Sequence, residues 1–295
     1  MRVGLIGCVD SSRTALQTLL EVKGLEVVAV VTREQSAVNA DFCDLTDLCK
    51  KNGIPFHFED PKLRSESVDF LSPFDLDIIF CIGWSYLLGS SMLTLPKQGV
   101  IGFHPAELPS NRGRHPIIWA LVLGLKKTAS TYFIMDEGAD SGPVVSQIPI
   151  YIDDEDNATT LYKKIIDASK NQLAKLASEL VGGISISAKQ DHNLATYWRK
   201  RSRKDGMIDF RMTANAIHNL IRALASPYPG AEFLYKQTSI VVKKSRITED
   251  SFSLNIEPGK VLDKSVDGLL VKAAEDKAIW LLDIECRDIS VGEYL

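Results

Sequence analysis

The stretch that decides the fold is RVGLIGCVDSSRTALQTLLEVKGLEVVAVVT, residues 2–32. Its apolar runs at 2–9 and 25–32 have the composition of buried strands, and a helical pattern that ends at Gly24 lies between them. Strands that alternate with helices are typical of βαβ units and of a parallel sheet covered on both faces. This stretch therefore predicts the start of an open α/β sheet.

The same alternation continues along the chain. Further strands are predicted at 54–58, 76–83, 99–104, 129–136 and 143–152, and helices at 41–53, 61–70 and 157–180. We therefore expect an α/β fold, a Rossmann-like and mostly parallel sheet domain, over residues 1–195. A basic linker at about 196–205 precedes a helix at 214–225 and several short strands. These predict a small β-rich, barrel-like C-terminal domain over 206–295.

Composition restricts the function classes. The chain has 295 residues, 45% of them hydrophobic and 24% charged, as in ordinary two-domain globular proteins. The net charge is −4, so no general basic field would gather nucleic acid. Five cysteines without a CxxC pair predict neither a disulfide framework nor a zinc site, and favour the reducing cytoplasm. No apolar run approaches the ~18 residues of a membrane span.

A histidine and an aspartate follow two of the predicted strands. His104 closes GVIGFH and precedes Pro105, while Asp140 lies in DEGADSGP after the sixth strand. Ligands of open α/β sheets bind beyond the carboxyl ends of the strands, so both side chains are candidates for proton transfer there. Alternatives stay open at this point: a lone histidine is more often structural, and Asp-Ser-Gly is common turn chemistry.

Cations follow the histidine. Arg112 and Arg114 flank a glycine, and ATYWRKRSRKDG (195–206) carries five more basic residues. Guanidinium groups match phosphate or carboxylate in two-point contacts, although a solvated loop or linker would have the same composition. His104 and His115 have no partners at metal-ligand spacing, so no metal is predicted, and the first strand lacks the GxGxxG pattern of dinucleotide sites.

Together these segments resemble the folate-dependent formyltransferases. FHPAELPSNRGRHPIIWALVLG and MDEGADSGPVVSQ resemble the signature loop and the aspartate loop of that family. YWRKRSRKDGMIDF, LIRALASPYPGA and GKVLDKSVDGLLVKA resemble the accessory domain of methionyl-tRNA formyltransferases and of the sugar-nucleotide enzyme that acts on 4-amino-arabinose. The resemblance covers most of the chain. It implies formyl transfer from the co-substrate 10-formyltetrahydrofolate to a primary amine.

The resemblance also implies catalytic residues. The family uses an asparagine, a histidine two residues later and a distant aspartate, which correspond to positions 102, 104 and 140 here. His104 and Asp140 match the pattern, but Gly102 stands where the asparagine is expected. The oxyanion would then depend on His104, a backbone N–H, a water molecule or a neighbour such as Asn111.

The implied binding residues fall in five segments. The folate is expected at the strand-to-helix turn 82–89 and on the aspartate loop, with contacts from Trp84, Tyr86, Leu87, Leu88, Asp136 and Ala139. The acceptor is expected at the turn after the first strand, the signature loop and the basic segment, with contacts from Arg13, Asn111, Arg112, Arg114, Arg201 and Lys204. The individual leucines are equally consistent with core packing.

Two acceptors compete. The RGRHP loop is closer to the RGR of the sugar-nucleotide enzyme than to the RGAAP that is typical of the tRNA enzymes, and the chain is net acidic. We therefore expect a nucleotide-linked amino sugar, with methionyl-tRNA as the alternative. Gly102 leaves a third class open, a folate-binding protein without transferase activity or a deformylating hydrolase. No nucleic-acid or membrane partner is expected, and a homodimer is left open.

Overall fold

The computed structural model describes residues 1–35, 41–60, 62–184, 186–284 and 288–295. Cys286 and one residue of the predicted helix at 61–70 lie outside the described residues, as does one residue of the short C-terminal strand that the apolar run AIWLLDIE (278–285) predicts. The chain forms two compact units. The first comprises residues 1–113, 128–150 and 163–198, and the second comprises residues 114–127, 151–162 and 199–295.

A seven-stranded sheet forms the centre of the first unit. Its strands are β1 (Arg2–Ile6), β2 (Glu26–Thr32), β3 (Phe56–Phe58), β4 (Ile78–Cys81), β5 (Val100–His104), β7 (Lys127–Ile134) and β8 (Val144–Tyr151). The spatial order is β3-β2-β1-β4-β5-β7-β8. Strands β1 to β5 pair in parallel, and β7 runs antiparallel to β5. The predicted mostly parallel sheet is confirmed.

Helices cover the sheet. They are α1 (Asp10–Glu21), α2 (Thr46–Lys51), α3 (Ser65–Leu71), α4 (Ser90–Leu93) and α6 (Ala158–Val181). Alternate β1 residues enter two separate apolar clusters, with Val3 and Leu5 in one and Ile6 in the other. The first cluster includes α1 and α6 side chains and the second includes α3 and α4 side chains, as a two-faced sheet requires.

The second unit combines helices with antiparallel strands. Its helices are α5 (Pro116–Val122) and α7 (Ala214–Ala223). Strands β10 (Ala231–Tyr235) and β11 (Thr238–Val242) form a hairpin. Strands β12 (Lys244–Ile247), β13 (Val261–Lys264), β14 (Gly268–Lys272) and β15 (Ala278–Leu282) form a sheet in the order β12-β15-β14-β13. This unit confirms the predicted small β-rich C-terminal region.

Some local predictions were wrong. The helix expected at 41–53 is shorter and spans Thr46–Lys51. Before it, Asp44 Oδ1 accepts the main-chain N–H of Thr46 at 2.8 Å, a local contact that favours a turn. The pairing of β6 (Arg112–Gly113) with β9 (Tyr197–Trp198) had no sequence signal, since two-residue strands carry no periodicity. Among the described residues, no helix has the length and apolar content needed to cross a membrane.

Candidate functional site

His104 lies at the carboxyl end of β5, as predicted. The residue is 5% exposed, and its Nε2 lies 2.8 Å from the main-chain oxygen of Asn111. Because a carbonyl oxygen only accepts, Nε2 carries the hydrogen in this contact. In the neutral ring Nδ1 then has the lone pair, so the Asn111 carbonyl selects which ring nitrogen can act as a base.

Asp140 faces the other side of the same ring. Its Oδ2 lies 3.6 Å from His104 Nδ1 and accepts the main-chain N–H of Gly113 at 2.8 Å. The backbone of Asp140 is left-handed, with φ of +53°, a conformation that aspartate adopts more readily than most residues. The structure therefore brings the histidine and the aspartate of the sequence prediction together at one end of the sheet.

Gln190 connects Asp140 to Arg112. Its Nε2 donates to the carbonyl oxygens of Asp140 (2.9 Å) and Gly142 (2.6 Å). Its Oε1 accepts from Arg112 Nε (3.1 Å) and Nη2 (2.7 Å). Arg112 is 1% exposed, and Nη1 donates to Tyr197 Oη at 2.8 Å. The Arg112 guanidinium is thus engaged within the protein, and sequence reasoning missed Gln190 because it lies 50 residues beyond the aspartate.

The pairing of β6 with β9 positions this network. Gly113 has φ of +104°, and a Cβ at this residue would lie 2.4 Å from the carbonyl oxygen of Trp198. Only glycine allows this close approach together with the left-handed backbone. The approach leaves the Gly113 N–H directed at Asp140, so the glycine between the two arginines of the signature loop orients the aspartate.

Gly102 is enclosed by apolar side chains. A Cβ at this position would lie 2.7 Å from Met135 Cγ and 3.0 Å from the nearest ring atoms of Phe133. Any side chain there would displace them. An asparagine side chain at position 102 would project into space that Met135 and Phe133 already occupy. The amide that the resemblance led us to expect therefore does not fit in this packing.

The turn that follows β4 is attached to α1. Ser12 Oγ accepts the N–H of Val9 at 3.1 Å and donates to the carbonyl oxygen of Ile82 at 2.6 Å. Beyond this anchor, the rings of Trp84 and Tyr86 pack edge to face with centroids 6.3 Å apart. The two leucines of the turn differ in burial: Leu87 is 57% exposed, whereas Leu88 is 9% exposed and belongs to the core.

A buried arginine at the end of β2 supports the two aromatic rings. The Arg33 guanidinium lies 5.0 Å from the ring centroid of Trp84 and 4.4 Å from that of Tyr86, as in cation–π contacts. Glu59 Oε1 is 3.8 Å from Arg33 Nη2, and burial raises the pKa of the Glu59 carboxyl despite this arginine. Sequence reasoning missed Arg33, because a single arginine after a strand carries no distinctive signal.

The aspartate loop begins with a turn closed by Asp136. Its Oδ1 accepts from the N–H of Gly138 at 3.0 Å and from Ser141 Oγ at 2.6 Å. Ala139, which is also expected to contact folate, lies in the chain between this turn and Asp140 and is half-buried. The carboxylate of Asp136 thus shapes the loop that presents Asp140.

The predicted acceptor residues are divided between the two units. In the first, Arg13 binds Asp47 through two N–H···O bonds of 2.8 and 2.6 Å, and Asn111 Oδ1 accepts from Thr196 Oγ1 at 3.3 Å. Arg114, Arg201 and Lys204 belong to the second unit. Within the described parts of the chain, no group of three or more His, Cys, Asp or Glu side chains is arranged to hold a metal ion.

Comparison with known proteins identifies the family. Residues 10–176 match the family described as formyl transferase, and residues 200–294 match the formyl transferase C-terminal domain. The methionyl-tRNA formyltransferase of Caldanaerobacter subterraneus subsp. tengcongensis is 32% identical over 100% of this chain and 96% of its own length. The bifunctional polymyxin resistance protein ArnA of Wigglesworthia glossinidia brevipalpis is 30% identical over 91% of this chain, which spans 40% of that protein.

Solved structures share the fold. The N-formyltransferase from Helicobacter canadensis, crystallised with folinic acid and dTDP-3-aminofucose, superposes with a TM-score of 0.73 at 17% identity, covering 95% of this chain and 98% of that one. The sugar 3N-formyl transferase WlaRD, crystallised in the presence of dTDP and 5-N-formyl-THF, gives a TM-score of 0.71 at 16% identity, with 96% and 97% covered.

Proposed function

Because the chain belongs to the formyl transferase family, we propose that it transfers the formyl group of 10-formyltetrahydrofolate to the amino group of a nucleotide-linked deoxyamino sugar. The observation that carries the transfer is the pair of His104 and Asp140, whose Nδ1 and Oδ2 atoms lie 3.6 Å apart at the end of the sheet. The folate ligands of the two solved transferases, together with dTDP-3-aminofucose in one and dTDP in the other, support the choice of substrates.

In this mechanism the amine nitrogen attacks the formyl carbon and the carbonyl electrons move to oxygen. The new ammonium proton passes to His104 Nδ1, directly or through water, because Nε2 is held as a donor by Asn111. The imidazolium that forms lies beside the Asp140 carboxylate, which stabilises it. Collapse of the tetrahedral intermediate then expels the N10 nitrogen of tetrahydrofolate, which takes up a proton.

The folate would bind against the turn after β4 and the aspartate loop. Trp84 and Tyr86 would contact the pterin beside the Arg33 guanidinium, which already lies against both rings, and Leu87 is exposed at the same turn. Asp136 and Ala139 would contact it from the other loop. With Gly102 enclosed by Met135 and Phe133, the oxyanion would be stabilised by His104, a backbone N–H or water instead of the family asparagine.

Charge supports a small acceptor. Residues 199–295 contain 16 Lys and Arg against 14 Asp and Glu, so this part of the chain is nearly neutral. Several of its arginines are also neutralised by carboxylates, as in the Arg211–Asp209 pair. Binding of tRNA depends on many phosphate contacts, whereas a diphosphate needs only a few cations. Arg114 of the RGR loop is our candidate for one of them.

A second candidate is methionyl-tRNA formylation. It is favoured by the relative of that name, which matches this chain over its whole length at 32% identity. It predicts an affinity for tRNA that falls steeply with salt concentration.

A mass-spectrometric screen decides between the candidates. The protein and 10-formyltetrahydrofolate are incubated with UDP-, dTDP-, GDP- and CMP-linked amino sugars, with methionyl-tRNA, or without acceptor. We expect a formyl adduct on one sugar nucleotide, lowered ~100-fold or more in rate by His104→Ala. His218→Gln, far along the chain in the second unit, is the matched control and should retain the activity.

Other outcomes overturn parts of the proposal. Formylated methionyl-tRNA without any sugar product would establish the second candidate. Formate released without acceptor would indicate a hydrolase. A His104→Ala variant with the wild-type rate would remove His104 from the mechanism.

A further inference from the structure

The turn after β4, residues 82–89, belongs to no helix or strand. Its first residue is held by Ser12, whose Oγ donates to the carbonyl oxygen of Ile82 at 2.6 Å. Trp84 and Tyr86 follow within the irregular part of the turn, where no sheet ladder sets the direction of a side chain. The placement of these two rings therefore depends on side-chain contacts.

Arg33, the residue that follows β2, contacts both rings. Its guanidinium carbon lies 4.4 Å from the ring centroid of Tyr86 and 5.0 Å from that of Trp84, and Nη1 donates to Tyr86 Oη at 3.4 Å. The residue is 7% exposed. Cation–π contacts are stronger when the cation is removed from water. Arg33 thus joins the end of β2 to both aromatic side chains of the turn.

The position of the Arg33 guanidinium is set by the central sheet. Glu59 follows β3, the strand next to β2, and its Oε1 lies 3.8 Å from Arg33 Nη2. The other carboxylate oxygen, Oε2, accepts from the buried Ser67 Oγ of α3 at 3.3 Å. Because both charged residues directly follow paired strands, folding alone brings the guanidinium to this place.

Arg33 is suited to act through the rings and not by touching a ligand. Its Nε and Nη2 are buried and have no hydrogen-bond partner among the described residues, so a molecule at the surface of the turn would not reach them. Arg64 differs in this respect. It lies 4.9 Å from the same Tyr86 ring and donates to the Leu87 carbonyl oxygen at 3.4 Å, but it is exposed, and exposed cation–π contacts are weaker.

We propose that Arg33 is a positioning residue for the co-substrate, which fixes Trp84 and Tyr86 in the arrangement that contacts the pterin before folate binds. This inference rests on the proposed function, which places the pterin against these two rings. Side chains that are already ordered lose less conformational entropy on binding, so the affinity for folate depends on Arg33. The formyl transfer step at His104 and Asp140 does not involve it.

Calorimetric titration with folinic acid, the 5-formyl isomer of the co-substrate, tests this role without an acceptor. We expect Arg33→Met, which keeps the length of the side chain but removes its charge, to weaken binding by about tenfold. Arg64→Met is the matched control, since it removes an exposed cation from the same Tyr86 ring. It should weaken binding less than about threefold.

Steady-state kinetics separates positioning from a general structural defect. In Arg33→Met the KM for 10-formyltetrahydrofolate should rise about as much as the dissociation constant of folinic acid, while kcat changes less than about threefold. The KM for the amino sugar should stay the same. Equal losses in kcat and in kcat/KM would contradict the proposal.

A second variant keeps the test valid if Arg33→Met fails to fold. Removing Arg33 alone leaves the buried Glu59 carboxylate without its cation, which is strongly destabilising. The double variant Arg33→Met with Glu59→Gln removes both charges, and thermal melting checks that it folds. It should bind folinic acid as weakly as Arg33→Met, and wild-type affinity in it would overturn the proposal.

A double-mutant cycle shows whether Arg33 acts through the rings. Tyr86→Leu removes the ring nearest to the guanidinium. Combined with Arg33→Met, it should weaken folinic acid binding by less than the product of the two single fold-changes, because part of what Arg33 positions is already gone. A combined loss equal to that product would mean that Arg33 acts independently of Tyr86, and would reject the positioning role.

The outcomes separate this proposal from the proposed function. Formylation of a sugar nucleotide with unchanged folinic acid binding in Arg33→Met would retain the function and reject the positioning role. Arg33-dependent binding of folinic acid without formylation of any sugar nucleotide would retain the positioning role and reject the acceptor. Absence of folinic acid binding in the wild type would overturn the positioning role, whatever the formylation assay shows.

Discussion

The carboxyl end of β5 and the carboxyl ends of β2 and β3 differ in how their buried polar groups are hydrogen-bonded. At the end of β5, His104, Arg112 and Gln190 are all hydrogen-bonded to other groups of the first unit. At the ends of β2 and β3, several buried polar atoms have no hydrogen-bond partner among the described residues. They are Thr32 Oγ1, Arg33 Nε and Nη2, His57 Nε2 and Glu59 Oε1.

At the end of β5, hydrogen bonds fix the geometry of the buried polar groups, whereas at the ends of β2 and β3 several buried polar atoms lack a hydrogen-bond partner among the described residues. A fully paired network fixes the orientation of each member, so the His104–Asp140 distance is determined by folding alone. A buried polar atom without a hydrogen bond costs about 1–3 kcal/mol, and at the β2–β3 end the ion pair of Arg33 Nη2 and Glu59 Oε1, 3.8 Å apart, offsets this cost only in part. We therefore expect changes at the β5 end to damage both stability and activity, and changes at Glu59 to alter stability with pH.

The largest effect is expected from breaking the paired network at Gln190. Gln190→Leu would leave Arg112 Nε without its acceptor and Nη2 with only His192 Nδ1 at 3.3 Å, and it would leave two carbonyl oxygens without their donor. We expect a loss of about 3 kcal/mol in the free energy of unfolding, measured by urea denaturation. The formylation rate of the folded variant should also fall, because the Asp140 carbonyl is no longer held.

Two comparisons make this test specific. Gln147→Leu removes a more exposed glutamine that donates to Leu108 and Thr131, and it should cost less than about 1.5 kcal/mol. The double variant Arg112→Met with Gln190→Leu should cost less than the sum of the single variants, because no buried cation is left unpaired. Additive losses would contradict the network.

This network also marks the limit of what the sequence predicts. The alternation of strands and helices predicted the sheet, and the position of His104 after β5 and of Asp140 after β7 predicted the pair. Gln190 and the two-residue strands β6 and β9 depend on contacts across some 50 to 85 residues of chain, which no local periodicity encodes. The burial of Arg112 has the same origin, since a loop arginine in sequence looks solvent-exposed.

A smaller effect is expected at Gly102, which tests how closely the β5 end is packed. Gly102→Ala places a Cβ 2.7 Å from Met135 Cγ, so Met135 has to move. We expect a loss of about 1–3 kcal/mol in the free energy of unfolding. Adding Met135→Ala should recover part of this loss by making space.

Gly99→Ala is the control for the packing effect. Its Cβ would meet only Ile134 at 3.7 Å, so any loss of stability there would come from the backbone φ of +86° at Gly99.

Gly102→Asn tests the chemical side of the same position. If the enclosed site has no room for an amide, this variant should be destabilised further and should not gain formylation activity. A stable variant with a higher rate would show that the packing around Met135 adapts, and that the missing asparagine limits the reaction.

The smallest effect is expected at the ends of β2 and β3, where we expect the contribution of Glu59 to stability to change with pH. Burial raises the folded-state pKa of Glu59 above its ordinary value, so the folded state holds this proton more tightly than the unfolded chain. Its contribution to stability is therefore complete below the ordinary carboxyl pKa and is lost as pH rises through the raised pKa. Gln cannot titrate, so the stability of the wild type relative to Glu59→Gln should fall as the pH is raised from the ordinary glutamate pKa, about 4, toward neutrality. Urea denaturation across that range measures the difference. A difference that grows with pH would mean that Arg33 stabilises the Glu59 carboxylate more than burial destabilises it, and the β2–β3 end would then be as well paired as the end of β5.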